Sequence, residues 1–205
     1  METRRVDSRI VFILLVLAAI AGAVALMQYN TQEVSGAVIG NPGTAAYYIK
    51  FDGIDGEALD KDHSGWSDLH SFGQAIRTSI VDLSGDGTRR RGDVILEDIS
   101  LSKQLDKASP KLAEAVTSGV VFPKVEIHVT ASYTDAGRVT YYKYELTNVM
   151  VTSYSVSGTG SVDDVPMEQV SLNFAAIKVT YTENDSSGQK KGNVEYTWNV
   201  EQAIN

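Results

Sequence analysis

The sequence has no cysteine and only three histidines, His63, His70 and His128, among its 205 residues. Without cysteine the chain forms no disulfide, holds no metal through thiolates and offers no thiol nucleophile. The histidines are too few and too widely spaced for a zinc site of the usual ligand pattern. We therefore expect a protein with neither a bound metal nor a cofactor.

Positive charge is also scarce. Lysine and arginine total 18 residues against 26 of aspartate and glutamate, which gives a formal net charge of −8. A protein that binds nucleic acid normally presents a basic face, so we expect no nucleic-acid partner. The apolar fraction of 43% is typical of a globular protein, and the length suits one domain with a short extension.

One long apolar run lies near the N-terminus, at residues 10–27. Arg4, Arg5 and Arg9 precede it, and the next basic residue is Lys50. Positive charge on that side holds the N-terminus in the cytoplasm, which predicts that the remainder is extracellular or on the cell surface. Residues 1–29 are either a signal peptide, cleaved near small residues late in the run, or a retained membrane anchor.

The next segment, residues 30–44, predicts a flexible linker. It is rich in small residues, lacks helical periodicity and ends on the turn-forming sequence Asn41-Pro42-Gly43. A folded domain should then occupy residues 45–205.

That domain has mostly the alternating pattern of β-strands. Apolar and polar residues alternate around His128, which places this histidine on the polar face and predicts a surface side chain. The apolar phase shifts between Leu146 and Val149, and again between Phe174 and Ile177. Because side chains alternate strictly along a strand, each shift requires a bulge or a sharp bend, as in a barrel.

A single short helix is predicted within residues 109–119. Ser109 supplies an N-cap, Pro110 suits the first turn, and a glycine ends the segment. Leu112, Ala115 and Val116 share one face that should pack on the sheet. The predicted fold class is mainly β: an antiparallel β-barrel with one short α-helix, preceded by an N-terminal hydrophobic helix.

These segments, in this order, resemble the Hcp family, the tube proteins of type VI secretion. The matching segments span nearly all of residues 46–200: they are 48–66, 69–72, 106–112, 146–153, 166–174, 177–181 and a late tryptophan, Trp198. The resemblance implies an Hcp-like barrel that forms homohexameric rings, which stack into a hollow tube whose lumen can hold small protein cargo.

The N-terminal segment departs from the family, whose members in the secretion machine normally lack a leader. We therefore expect an Hcp-like tube or filament that assembles outside the cell. Two alternatives stay open: a genuine type VI inner-tube protein or effector carrier, and a monomeric exported barrel that binds or hydrolyses a ligand.

Residues that could contact a neighbouring subunit lie in the loop of residues 52–66 and in an arginine run. The candidates are Asp55, Glu57, Asp60, Trp66, Arg89, Arg90 and Arg91. Trp66 could instead plug one end of the barrel. The arginines could equally form a solvated turn or pair with an acidic loop of a neighbouring subunit.

No catalytic motif is present, and we expect no enzyme. The sequence contains neither a G-x-S-x-G elbow nor H-E-x-x-H, and it ends soon after Trp198, without room for an added toxin domain. Residues 82–93 imitate a calcium loop, but the arginine run within them opposes a cation. Asn184 begins a glycosylation sequon in a turn-rich segment, where it would be usable.

Overall fold

The computed structural model describes residues 45–82, 89–133, 135–160 and 165–200. The predicted leader and linker lie outside these residues. Within them, no helix is long and apolar enough to cross a membrane.

The described residues form ten strands and one α-helix, with a short 3-10 turn at Lys61–His63. In chain order the elements are β1 (Ala46–Phe51), β2 (Ser67–Leu69), β3 (Ser71–Gly73), β4 (Ile76–Asp82), β5 (Arg89–Leu96), β6 (Ile99–Gln104), α1 (Ser109–Ser118), β7 (Val121–Tyr133), β8 (Gly137–Ser157), β9 (Met167–Asn184) and β10 (Lys190–Asn199).

Eight strands form one antiparallel sheet in the order β2-β1-β7-β8-β9-β6-β3, and β10 pairs with the remaining length of β9. The two ends of this order, β2 and β3, are separated in the chain by His70 alone, whose backbone N–H donates to the carbonyl of Ser102 in β6 at 2.8 Å. The sheet therefore curls until its two ends nearly meet. The predicted mainly β, barrel-like fold with one short helix is confirmed.

The core fills the inside of this sheet. Core-facing residues of neighbouring strands lie directly opposite one another. Between β1 and β7, Ile49 lies opposite Ile127, and Phe51 lies opposite Val125. All four side chains are buried. Burial of each such side chain stabilises the fold by about 1.5–3 kcal/mol, so the alternation fixes the register of the strands.

The two predicted phase shifts are confirmed, and they occur at one place. Leu146 and Val149 are buried in β8, as are Phe174 and Ile177 in β9. Leu146 pairs with Ile177 and Val149 with Phe174, so both strands turn together without losing register. Asn148, at the turn, has a left-handed φ of 50°. The shift is therefore an in-register bend, with one residue in the αL region.

Helix α1 packs against β8, and its side chains Leu112 and Ala115 are buried in the core as predicted. The predicted N-cap is wrong: the cap position is Ala108, and Ser109 is already helical. The Asp106 carboxylate accepts the N–H of Ala108 at 2.9 Å, so an aspartate two residues earlier satisfies a free donor at the start of the helix. Gly119 ends the helix with φ 67°.

Strands β4 and β5 form a separate two-stranded hairpin. Ile76 and Ile80 of β4 are 51% and 64% exposed. An isolated two-stranded hairpin is marginally stable in water, so this element is suited to contact another surface.

Candidate subunit interface

The loop of residues 52–66 is fixed by backbone hydrogen bonds. The N–H of Ala58 donates to the Trp66 carbonyl at 2.8 Å, and that of Gly56 donates to the Gly65 carbonyl at 2.9 Å. A Cβ at Gly56 would overlap the Ser67 hydroxyl and the Trp66 carbonyl, so only glycine fits there. The loop therefore has a defined shape although it lies on the surface.

Two of the predicted interface carboxylates hold this loop in place. Lys50 Nζ donates to Asp55 Oδ1 at 2.6 Å, and this hydrogen bond lowers the pKa of Asp55. Glu57 Oε2 accepts the backbone N–H of Lys107 at 3.3 Å. Both carboxylates remain exposed and could also meet a neighbouring molecule.

Asp60 is turned towards the protein. Its Oδ1 accepts from Nδ1 of His63 at 2.7 Å and from the N–H of Asp62 at 3.1 Å, and its Oδ2 lies 3.6 Å from Nε of Arg138. Burial acts to raise the pKa of Asp60, but the hydrogen bonds from His63 and Asp62 outweigh it and hold the pKa low. Asp60 thus anchors the loop.

The prediction that His128 is a plain surface residue is wrong. It does lie on the face of β7 opposite the core, but the loop folds back over it. Its Nδ1 lies 3.0 Å from Nε2 of His63. The centroid of its ring lies 4.3 Å from the centroid of the Trp66 ring. Burial, and then the charge of His63, lower the pKa of His128 to about 4.

Trp66 packs on the outer side of the sheet. It contacts His128 and, at 5.0 Å between ring centroids, His63. It is half-buried, so part of the indole remains available to another molecule. Its role as a subunit contact stays a prediction.

The arginine run lies in a different part of the fold. Arg89, Arg90 and Arg91 begin β5, where their backbones pair with Asp82, Val81 and Ile80 of β4. The predicted interface residues therefore belong to two separate surfaces, the loop and the hairpin.

Three surface features of the structure were not predicted from the sequence. Leu59 in the loop is 98% exposed, and an aromatic cleft lies on the inner side of the sheet beside Tyr47, Phe72 and Tyr142. Strand β10 is exposed on both faces. Val194, Tyr196 and Trp198 alternate with polar residues, a pattern that predicts one buried face, so the exposure of both faces of β10 had no signal in the sequence.

Asn184 is not a usable glycosylation site in this fold. Only 4% of the residue is exposed, and its Nδ2 donates to the carbonyl of Thr182 at 3.2 Å. A transferase could not reach this amide while β9 is formed. The sequon therefore occurs without an accessible acceptor.

No group of three or more histidine, aspartate or glutamate side chains among the described residues could hold a metal ion. The interactions around the loop are hydrogen bonds, ion pairs and aromatic contacts. This arrangement can hold a surface in a fixed shape for recognition.

Comparison with known proteins agrees with this geometry. The family described as "Type VI secretion system effector, Hcp" matches residues 48–181. Protein hcp1 of Pseudomonas aeruginosa is 31% identical over 158 residues, which are 77% of this chain and 96% of that protein.

Solved structures show the same fold. A type six secretion system protein is 28% identical with a TM-score of 0.71, and the match covers 78% of this chain and 98% of that one. Hcp1 from Salmonella typhimurium is 24% identical with a TM-score of 0.63, over 77% and 96% of the two chains. The chain belongs to the Hcp family.

Proposed function

We propose that this chain is a structural subunit of a tube made of stacked rings. The observation that carries the proposal is the edge of β10. Among the described strands, β10 pairs only with β9, and both of its faces are exposed, with Val194 at 71%. An exposed edge strand of ten residues is a template for a strand of another molecule.

The backbone groups at this free edge can be identified. The N–H of Val200 donates to the carbonyl of Ala175 at 2.8 Å, and the same register continues from Trp198 to Val194. In an antiparallel pair, inward and outward backbone groups alternate from residue to residue. Glu195 and Thr197 therefore direct their N–H and C=O groups away from β9, where a strand of another molecule could pair with them.

The hairpin of β4 and β5 is a second contact surface, suited to join one ring to the next. It stands apart from the main sheet, and Ile80 is mostly exposed. The arginine run at the start of β5 is a cluster of positive charge in a chain whose net charge is −8. Charge complementarity would favour a contact with an acidic surface of a neighbouring subunit.

Replacement of Thr197 by proline tests the edge. Proline removes an outward N–H and is tolerated on edge strands, so the pairing of β10 with β9 should survive. We expect the full-length Thr197→Pro variant to remain folded by circular dichroism but to lose rings in electron microscopy. The Thr197→Val variant keeps the N–H and should assemble as the wild type does.

If the wild type and both variants form rings, β10 is not part of the contact between subunits. Monomers from the wild type at high concentration would contradict the tube itself and favour a monomeric exported barrel.

We further propose that each ring contains six copies and that its lumen can admit small protein cargo, as the family resemblance implies. Native mass spectrometry of the assembled chain would give the stoichiometry. A different subunit number would contradict the hexamer while leaving the tube in place.

The apolar run at residues 10–27 supports export, so we propose that the tube assembles outside the cell. Family membership supports the other candidate, an inner-tube protein of type VI secretion made in the cytoplasm. Protease added to intact cells should degrade the barrel domain if it is exported. Protection from the protease, with co-purification of sheath proteins, would favour the second candidate. Either location fits a structural protein rather than an enzyme.

A further inference from the structure

The loop of residues 52–66 carries an apolar side chain at its most exposed point. Leu59 is 98% exposed, the largest value among the large apolar side chains of the described residues. Its neighbours are fixed, because the N–H of Ala58 donates to Trp66 and the carboxylate of Asp60 is bonded to His63. The loop therefore holds this leucine in water. A rigid, exposed apolar anchor is typical of a protein contact.

An open aromatic cleft of about 540 Å³ lies at one end of the inner sheet face. It is lined by the rings of Tyr47, Phe72, Tyr141 and Tyr142, with His70 and Ser71 among its exposed residues. Tyr141 is an extra residue where the register of β7 and β8 shifts. At a bulge, two consecutive side chains can face the same side, which brings Tyr141 and Tyr142 together.

The loop and the cleft lie on opposite sides of β1. Tyr47 lines the cleft, whereas the next residue, Tyr48, stacks on His63 of the loop at 4.1 Å between ring centroids. A ring built from one repeated head-to-tail contact needs two different patches on each subunit. Patches on opposite sides of one strand can engage two neighbours at the same time.

Charge also matches the loop with this cleft. Glu57, two residues from Leu59, is exposed, whereas the cleft is lined without any carboxylate. Its tyrosine, histidine and serine groups can donate hydrogen bonds to an acidic loop. Two other open clefts contain carboxylates: Glu114 lines the cleft beside α1, and Glu145 lines a cleft on the outer face of the sheet. A serine-lined cleft on β3, β6 and β9 is neutral but offers little aromatic surface.

We propose that Leu59 of one copy inserts into the aromatic cleft of the next copy, so that loop and cleft form one lateral contact of the ring in addition to the edge of β10. This inference rests on the proposed function, because it assumes that the chain forms rings. The inference adds to the proposed function the anchor residue, Leu59, and the cleft that binds it. The exposed leucine and the open cleft would both be buried in the assembly.

Cysteine cross-linking tests the contact directly, because the natural chain contains no cysteine. The test pair is Leu59→Cys with His70→Cys in the full-length chain, purified in detergent and treated with a mild oxidant. His70 is exposed and lines the aromatic cleft but not the serine-lined one. Because loop and cleft lie on opposite sides of β1, a disulfide should form between copies. We expect a ladder of covalent oligomers on a non-reducing gel, ending at the ring.

The control pair is Leu59→Cys with Ser153→Cys, an exposed residue that lines the serine-lined cleft but not the aromatic one. We expect at least a tenfold lower yield of oligomers from this pair. A second variant, Leu59→Ser, should raise the concentration needed for ring formation by at least tenfold, with an unchanged circular dichroism spectrum.

Rings in the microscope without a ladder from the test pair would overturn this contact while leaving the tube intact. An equal or larger yield from the control pair would overturn it as well, and would assign Leu59 to the serine-lined cleft. Absence of rings from the unmodified chain would instead contradict the proposed function.

Discussion

His63 and His128 share a hydrogen bond of 3.0 Å between Nε2 of the first ring and Nδ1 of the second. Asp60 accepts from Nδ1 of His63, which assigns the His63 proton to Nδ1; in that tautomer Nε2 of His63 accepts and His128 donates. The remaining nitrogen of His128, Nε2, is buried and has no hydrogen-bond partner among the described residues. The pair therefore fastens the loop to β7.

This geometry predicts that acid destabilises the fold through His128. Burial, then the charges of His63 and Lys143, lower its pKa to about 4, although Glu126 and Glu145 act to raise it. A free imidazole has a pKa of about 6.5, so the unfolded chain binds more protons between these values. The free energy of unfolding should therefore fall as the pH falls from about 6.5 to about 4, by at most about 3 kcal/mol.

Urea unfolding of the full-length chain at pH 7.5 and pH 5.0 would measure this loss. The His128→Gln variant cannot titrate and should lose about 2 kcal/mol less than the wild type between these pH values. His70→Gln serves as the control, because His70 is exposed. Equal losses in the wild type and in His128→Gln would contradict the assignment.

A second prediction concerns a buried ion pair between neighbouring strands. Lys103 of β6 lies directly opposite Glu168 of β9, and both side chains are fully buried. Lys103 Nζ lies 2.9 Å from Glu168 Oε1 and 2.7 Å from Asp106 Oδ1. Tyr154 donates to the other oxygen of Glu168 at 2.8 Å; burial, then this hydrogen bond, raise the pKa of Tyr154 to about 12.

Replacement of Lys103 alone leaves a buried carboxylate without its cation. We expect Lys103→Met to lower the free energy of unfolding by about 3–5 kcal/mol, measured by urea denaturation. The double variant with Glu168→Leu removes both charges and should recover a large part of this loss. A double variant that is less stable than Lys103→Met would contradict the view that the unpaired charge causes the damage.

The local parts of the fold could be predicted because the side-chain pattern is local. The helix follows from residues 109–119, and the bend follows from the spacing of Leu146 and Val149. Both signals lie within a few residues of the structure that they specify. The N-cap was misplaced because Asp106, outside the usual position, satisfies the free N–H of Ala108.

The contacts of the loop could not be predicted because they join distant residues. His63 and His128 are separated by 65 positions, and no periodicity links them. Alternation does place Lys103 and Glu168 on the buried faces of their strands, in phase with Leu101 and Val170. Charged residues at such positions are usually exposed, and only the pairing of β6 with β9 explains their burial.

A third prediction tests whether the loop must be fixed for assembly. A methyl group at Gly56 would overlap Ser67 and the backbone of Trp66, so Gly56→Ala should displace the loop. We expect this variant to keep its β-sheet spectrum but to form fewer rings in electron microscopy. Gly73→Ala is the matched control, because its nearest neighbour, the Ser100 hydroxyl, would be 3.7 Å from the new methyl group. If the Gly56→Ala variant forms rings normally, assembly does not depend on the shape of the loop.

The last prediction concerns the bend in β8. Asn148 adopts a φ of 50°, a region that asparagine and glycine enter easily and that β-branched residues avoid. Asn148→Gly should therefore change the free energy of unfolding by less than about 1 kcal/mol, whereas Asn148→Val should lower it by about 2 kcal/mol or more. Asn148 is exposed, so neither change removes a core contact.

Urea denaturation of both variants would measure the difference. Because the bend moves the buried phase from Leu146 to Val149, strain at Asn148 acts on the core on both sides of it. Equal stability of the glycine and valine variants would mean that the left-handed conformation is not required for the bend. Loss of stability in the valine variant alone would identify one backbone conformation as the feature that lets two long strands turn together and close the sheet.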